Sequence, residues 1–373
     1  MVQACEKRRG LDVSKRNYGI DLLRIISMLG VMTLHILGHG GILDSLNILS
    51  VNYNIAWLLE ACAYCAVDCF VLISGYIGVE SKFKYSNLIY LWLETEVYSV
   101  GIMLLFMVAG IKNMRECITA FFPVIMSQYW FFSMYIGMML LAPVINIFIR
   151  KSAISVVLPI VISTTGAYTV LSIANENIFG LGSGYSVLWF LILYMWGGTI
   201  YKVQKEYQFN VKIVKQIVLV LLLFSWLSKI FFETMTIKLY GEAKWGLTFI
   251  KYTSPTILGV AIGLLIIFSK VKCDKTIPAL KYFAPLTFAA YLIQDNKYIR
   301  EYCIKNLFVF LADKNVVILI AGVIAGAFIC FGIGTTIDYV RFYIFRQLRL
   351  KDRIQNLETK LENYLSYKFF RNK

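Results

Sequence analysis

Tyr18-Gly-Ile-Asp21-Leu-Leu-Arg24-Ile-Ile-Ser-Met-Leu-Gly-Val-Met-Thr-Leu-His35-Ile-Leu-Gly-His39-Gly-Gly41 is the stretch on which the reading of this chain turns. Residues 18–38 form one apolar run. About 20 such residues cross a bilayer core as a helix. Ionisable groups inside such a run are costly, so Asp21, Arg24 and His35 are candidates for function. Asp21 and Arg24 are three residues apart and can pair on one face. Arg24 and His35 are eleven apart, close to three helical turns of about 3.6 residues each, so both point to nearly the same side, ~16 Å apart along the axis. His35 and His39 are the chain's two histidines, and both sit at the far end of this run. A neutral imidazole is a general base suited to pH 7. Spacing alone leaves open that Arg24 snorkels to the headgroups and that His35 only packs.

The run is repeated along the chain. The 373 residues are 59% hydrophobic and only 16% charged, with a mean hydropathy of +0.68. Soluble domains carry about 25% charge. We read an all-α, polytopic membrane protein with ten helices near 18–38, 54–78, 86–110, 128–149, 153–173, 186–203, 211–231, 246–269, 282–300 and 315–340. With the N-terminus in the cytoplasm, most basic residues fall inside: Lys7, Arg8, Arg9, Lys15, Arg16, Lys82, Lys84, Arg150, Lys151, Lys202, Lys205, Lys212, Lys215, Lys270, Lys272, Lys275, Lys281 and the basic tail. Only Lys112, Arg115, Lys238, Lys244, Lys305 and Lys314 fall outside, as the positive-inside rule requires with both termini cytoplasmic. That rule accounts for the formal +15 charge without nucleic acid. The organisation expected is a basic leader over 1–17, a membrane domain over 18–345 and a basic amphipathic tail over 346–373. Leu350, Ile354, Leu357, Leu361 and Leu365 lie at helical spacing in that tail, which suits a helix on the cytoplasmic leaflet. The first run reads as a retained span, not a cleavable signal. Cys62, Cys65 and Cys69 read as packing residues of an apolar helix.

Other polar groups interrupt the later runs. The second carries Glu60 and Asp68 and ends on Ser74-Gly75-Tyr76, which also reads as a simple helix end. Glu94 and Glu96 are two apart, so at most one is expected to face His35. Tyr129-Trp130-Phe131-Phe132 and Trp189-Phe190 fit interfacial aromatic belts. The ninth run ends in the polar stretch Gln294-Asp295-Asn296-Lys297, then Arg300, which either lines a polar mouth or marks the exit to water.

Taken together these stretches resemble the membrane acyltransferase-3 family, in its branch of bacterial cell-surface polysaccharide O-acetyltransferases. An arginine, ten residues and a histidine on the first span carry most of the likeness. Phe70 to Tyr76, Tyr129-Trp130-Phe131 through Ala142-Pro143 to Asn146, Gly184-Tyr185-Ser186 with Trp189-Phe190, and Tyr291-Leu-Ile with Gln294-Asp295 add to it. Gln294 departs from the pattern, since many relatives have histidine there, and this argues against a proton-transfer role at that position.

The resemblance implies a ten-helix fold, an acyl-CoA donor (acetyl-CoA above all) on the cytoplasmic side, and a hydroxyl acceptor on a polysaccharide or lipid-linked glycan. The location implied is the bacterial cell membrane. It implies no permanently bound cofactor, no metal and no appended soluble catalytic domain. His35 would act as general base or as acyl carrier, with Arg24 holding the donor and Asp21 fixing Arg24. Glu60, Asp68, Ser74, Tyr76, Trp130, Tyr135, Asn146, Trp189, Tyr291, Gln294 and Asp295 are the expected substrate-binding residues. Arg24 and His35 are expected to look into one shared hollow. A transporter or flippase of a glycan intermediate fits the spans and charges equally well, but not an Arg and a His on one stripe.

Overall fold

Asn17 starts the first helix. Its side-chain oxygen accepts from the backbone N–H of Gly19 at 3.0 Å, satisfying a donor that a helix start leaves orphaned. Its amide donates to the Ser269 carbonyl at 2.9 Å, which ties this start to the end of a distant helix. The computed structural model describes residues 16–111, 114–272 and 277–370. The basic leader with Lys7, Arg8, Arg9 and Lys15 lies outside the described residues, as do Lys112, Lys275, Arg371, Lys373 and the side chain of Arg115.

The described residues are helical, with no strand among them. The main helices are α1 (Tyr18–Leu37), α2 (Val51–Tyr64), α3 (Ala66–Gly78), α4 (Tyr85–Val108), α5 (Trp130–Lys151) and α6 (Ile154–Ala174). After them come α7 (Val187–Glu206), α8 (Val211–Tyr240), α9 (Pro255–Ser269), α10 (Thr287–Gln294), α11 (Val316–Gln347) and α12 (Leu350–Phe370). Helix α1 is central and packs against α2, α3, α9, α10 and α11. Helices α3 and α7 approach so closely that a Cβ on Gly75 would meet the Tyr194 carbonyl oxygen at 2.0 Å. Thus the glycine of Ser74-Gly75-Tyr76 serves helix–helix contact inside α3, which runs on to Gly78.

Seven spans among the described residues are long and apolar enough to cross a membrane, with α2 and α3 counting together as one span over Val51–Gly78. Helix α7 makes an eighth when joined to the short turns over Ile178–Gly184, from which it is bent by 76°. The expected eighth and ninth spans are not straight helices. Helix α9 has only 15 residues, because 246–254 is a chain of turns and Pro255 opens the helix behind the cap Ser254. The ninth run breaks into Ile277–Phe283, a tight turn containing Pro285, the eight-residue α10, and a wide π turn over Arg300–Ile304. Irregular backbone at membrane depth is tolerated only where protein covers it or where it lines a cavity. Here Tyr252, Thr253, Ser254, Asp295 and Asn296 are all buried. The hydroxyls of Ser254 and Thr256 both donate to the Phe249 carbonyl, which holds the first break closed.

Side-chain contacts sort the connections into two ends. At the end where the described chain begins, Tyr76 reaches Gln204, Gln204 reaches Ser269, Lys205 pairs with Glu80, and Lys202 donates to the carbonyl of Ile149. Helix α12 docks there: Glu358 accepts from the backbone N–H groups of Tyr85 and Ser86, capping α4. Ile354 of its apolar stripe is buried, whereas Leu357, Leu361 and Leu365 are exposed. At the opposite end, Lys297 pairs with Glu116, Asn52 donates to the carbonyls of Ala312 and Lys314, and the backbone at Asn306 and Phe308 bonds to His39 and Gly40. Gly41 takes φ 83°, a left-handed turn that glycine makes without strain, and so lets the chain fold back there.

Two buried charge clusters hold helices together away from the two cavities described below. Lys229 donates to Glu233 on α8 and lies over the Trp57 ring of α2, 3.8 Å from its centroid, while the Tyr53 hydroxyl donates to Glu233. Arg341 on α11 donates to Asp338 at 2.6 Å and reaches Glu94 of α4 at 3.0 Å. Charges this deep persist only when paired and hydrogen-bonded.

Candidate active site

Helix α1 ends on the Gly38-His39-Gly40-Gly41 turn, and its last two turns form one wall of a cavity of about 380 Å³. His35 looks into it from α1, His39 from the turn that follows, and Glu60, Tyr64 and Phe70 from α2 and α3. Trp130 and Phe131 enter from the start of α5, and Tyr185 from the turn before α7. The two broken spans supply Tyr252, Tyr291, Asp295 and Arg300. On the rim, Lys251 donates to Glu176 and holds that carboxyl below the usual carboxylate range, tying the two turns that carry Tyr185 and Tyr252.

His35 Nδ1 stands 3.2 Å from Gln294 Oε1. An amide oxygen only accepts, so in this arrangement Nδ1–H donates and the ring's lone pair is left on Nε2. Gln294 is thus the side chain that can fix the tautomer of His35. The His39 ring lies 5.2 Å from that of His35, toward the open end. Asp295 faces Arg300 at 3.5 Å.

Arg24 does not share this cavity. It lines a second one of about 210 Å³ with Ser74, Leu91, Tyr135, Thr287 and Pro285. Asp21 accepts from Arg24 at 3.0 Å and from Arg16 at 2.5 Å, so one carboxylate positions two guanidinium groups at the start of α1. Ser74 Oγ and the Tyr135 hydroxyl are 3.2 Å apart. The single hollow expected from the sequence is therefore corrected to two adjoining chambers. Phe70, Phe131 and Phe288 line both. These rings come from α3, α5 and α10, so helix spacing on α1 alone could not reveal them. The expected alignment of Arg24 and His35 on one ridge is present; the partition between them is contributed by other helices.

The remaining expected residues divide in the same way. Trp130, Glu60, Tyr291 and Asp295 line the His35 chamber, and Ser74 and Tyr135 the Arg24 chamber. Asp68 instead accepts from the Trp189 indole at 3.3 Å, with both side chains buried between α3 and α7. Asn146 donates to the Gly78 carbonyl and accepts from the Tyr194 hydroxyl. The Tyr76 hydroxyl donates to Gln204. Glu94 is held by Arg341, and neither it nor Glu96 lines either chamber. Sequence reasoning missed Tyr64, Tyr252 and Phe288, which carry no signal among 24 tyrosines and 26 phenylalanines, whereas Phe70 and Phe131 lie in stretches it singled out without assigning them to the site. The contact of Gln294 had a signal, the polar run at the end of an apolar segment.

One group of metal-ligating side chains exists among the described residues. His35, His39 and Asp295 place one ligand atom each within 4.8 Å of one another. Bonds of about 2.1 Å to a tetrahedral zinc would bring such atoms to about 3.4 Å. Asp295 is also engaged with Arg300, so the set fits a hydrogen-bonded polar mouth better than a metal cage.

This geometry can bind an anion at one chamber and withdraw a proton at the other, across an aromatic collar. The sequence profile of the acyltransferase-3 acyltransferase domain matches residues 17–335. Searches of curated proteins and of solved structures return no match. The match spans most of the chain and both chambers, and the chain belongs to the acyltransferase-3 family of membrane acyltransferases.

Proposed function

We propose that the protein moves an acyl group, most simply acetyl, from cytoplasmic acyl-CoA to a hydroxyl of a cell-surface or lipid-linked polysaccharide, at the bacterial cell membrane. The observation that carries the reading is His35: its Nδ1 is engaged by Gln294 and its ring lines a cavity, on the same helix as the Arg24 that lines the adjoining one. The basic connections gather at the Arg24 end, which the positive-inside rule assigns to the cytoplasm. A CoA donor arriving there presents phosphates to Arg24 and Arg16, cations that suit phosphate oxygens. Its pantetheine arm is long and thin, and passes the collar of Phe70, Phe131 and Phe288 to bring the thioester to His35.

In the transfer step His35 Nε2 takes the acceptor's hydroxyl proton. The oxygen attacks the thioester carbonyl, the C–S bond breaks, and the CoA thiolate leaves and recovers a proton from the imidazolium. Base catalysis of this kind supplies on the order of 10²–10⁴-fold. A deletion strain should lose an acyl increment from its surface glycan by mass, regained with the intact gene and not with His35→Ala. An unchanged glycan mass in the deletion strain overturns the reading.

A further inference from the structure

Two residues lining the His35 chamber have a buried polar atom with no hydrogen-bond partner, Tyr291 at its hydroxyl and, as the one carboxyl, Glu60. Glu60 lines the cavity, is 8% exposed, and its Oε2 is buried without a hydrogen-bond partner. A carboxyl in that state carries a desolvation cost until a donor arrives. Asp295, the other carboxylate in the wall, already faces Arg300.

Beside Glu60 runs a continuous wall of rings. Tyr64 and Tyr252 have centroids 4.8 Å apart, Tyr252 and Tyr185 5.4 Å, and Tyr185 and Trp130 4.3 Å. Tyr185 is 48% exposed, so this wall continues from the cavity to the open end. Flat aromatic faces next to one hydrogen-bonding carboxyl match one kind of ligand: a ring with an apolar C–H face and a rim of hydroxyls. A simple aliphatic alcohol has no second hydroxyl for Glu60.

We infer that Glu60, with the Tyr64–Tyr252–Tyr185–Trp130 wall, is the subsite for a pyranose ring of the acceptor. The wall stacks on the C–H face. Glu60 accepts hydrogen bonds from a hydroxyl next to the one that His35 deprotonates, and so selects which hydroxyl is acylated. Glu60 is a specificity residue on the acceptor side and takes no part in holding the CoA donor. The inference rests on the acyl-transfer reading above.

The test uses the full chain with Glu60→Leu, Glu60→Gln and His35→Ala, each expressed in place of the native gene. Two readouts are taken: the acyl content of the surface glycan by mass, and the thermal stabilisation of the purified protein in nanodiscs by acetyl-CoA. Glu60→Leu is expected to lower glycan acylation tenfold or more with the acetyl-CoA shift unchanged. Glu60→Gln, whose amide oxygen still accepts, keeps a measurable part. Wild-type acylation in Glu60→Leu overturns the inference, as does loss of its acetyl-CoA shift, which would make Glu60 structural or donor-binding. Glu60→Gln as inactive as His35→Ala also overturns it, because the carboxyl would then be taking a proton. A glycan that carries no acyl group in the parent strain fells the acyl-transfer reading itself, an outcome separate from the other three.

Discussion

The two chambers on either side of the phenylalanine collar are built differently. Apart from Ala284 and Pro285 in their tight turn, the Arg24 chamber is walled by regular helix, and its polar side chains, Arg24, Ser74, Tyr135 and Thr287, are already hydrogen-bonded or paired with neighbours. The His35 chamber has helical walls too, from α1, α2 and α3, but adds to them the places where helices stop: the glycine turn after α1, the turns before α7 and α9, and the break after α10. It is also the one that holds a carboxyl with an unpartnered oxygen. A regular helix satisfies its own backbone and presents side chains at fixed spacing, which suits a charge held in one place for a donor's phosphates. Broken helices bring residues from distant segments around one volume, which suits a larger and more varied ligand.

Substitutions at three positions sharpen that contrast, given from the largest expected effect to the smallest. Arg24→Ala should raise the KM for acetyl-CoA on the order of 100-fold, as loss of a charged contact worth about 2–3 kcal/mol would. It should leave the acceptor KM alone, and an acceptor-side effect would mean that the two chambers do not divide donor from acceptor. Gln294→Leu should lower kcat on the order of tenfold with both KM values near wild type, because a lost hydrogen bond of about 1.4 kcal/mol frees the His35 tautomer. Gln294→His, which can still bond to Nδ1, should recover most of it; a Leu variant at full rate would show that His35 needs no orientation. Phe131→Ala should raise acetyl-CoA hydrolysis without acceptor a few-fold, since it opens the collar to water, and should also lower the Tm, by loss of a ring worth about 3 kcal/mol. An unchanged ratio of hydrolysis to transfer would remove the collar's role as a partition.

The same contrast explains what could be read from the sequence. Regular helix is legible: apolar runs and helical spacing located α1 to α7 to within a few residues and the starts of α8 and α11, which run on past the expected 231 and 340 to Tyr240 and Gln347, and placed Arg24 and His35 on one ridge. Breaks in helices are less so. The stretches 246–269 and 282–300 are apolar enough to look like plain spans, and only Pro255, Pro285 and the polar run from Gln294 to Arg300 hint otherwise. Intramembrane charge was an ambiguous guide. Glu60, Asp295 and Arg24 line cavities, whereas Glu94, Lys229 and Asp68 are spent on tying helices together. For Glu94 and Asp68 nothing local separates these two fates, because the partner comes from a distant segment, Arg341 for Glu94 and Trp189 for Asp68; only Lys229 has its partner, Glu233, four residues along the same helix.

The central claim is that His35 drives the breaking of a thioester. The most direct measurement gives the purified protein in nanodiscs acetyl-CoA labelled on the acetyl group, and follows free CoA and the fate of the label for wild type and His35→Ala. The account predicts thioester cleavage by wild type and a drop on the order of 10³-fold in a His35→Ala protein whose Tm is unchanged. A folded His35→Ala protein that releases CoA at the wild-type rate would contradict it; a wild type that releases none would favour a transporter of the glycan instead.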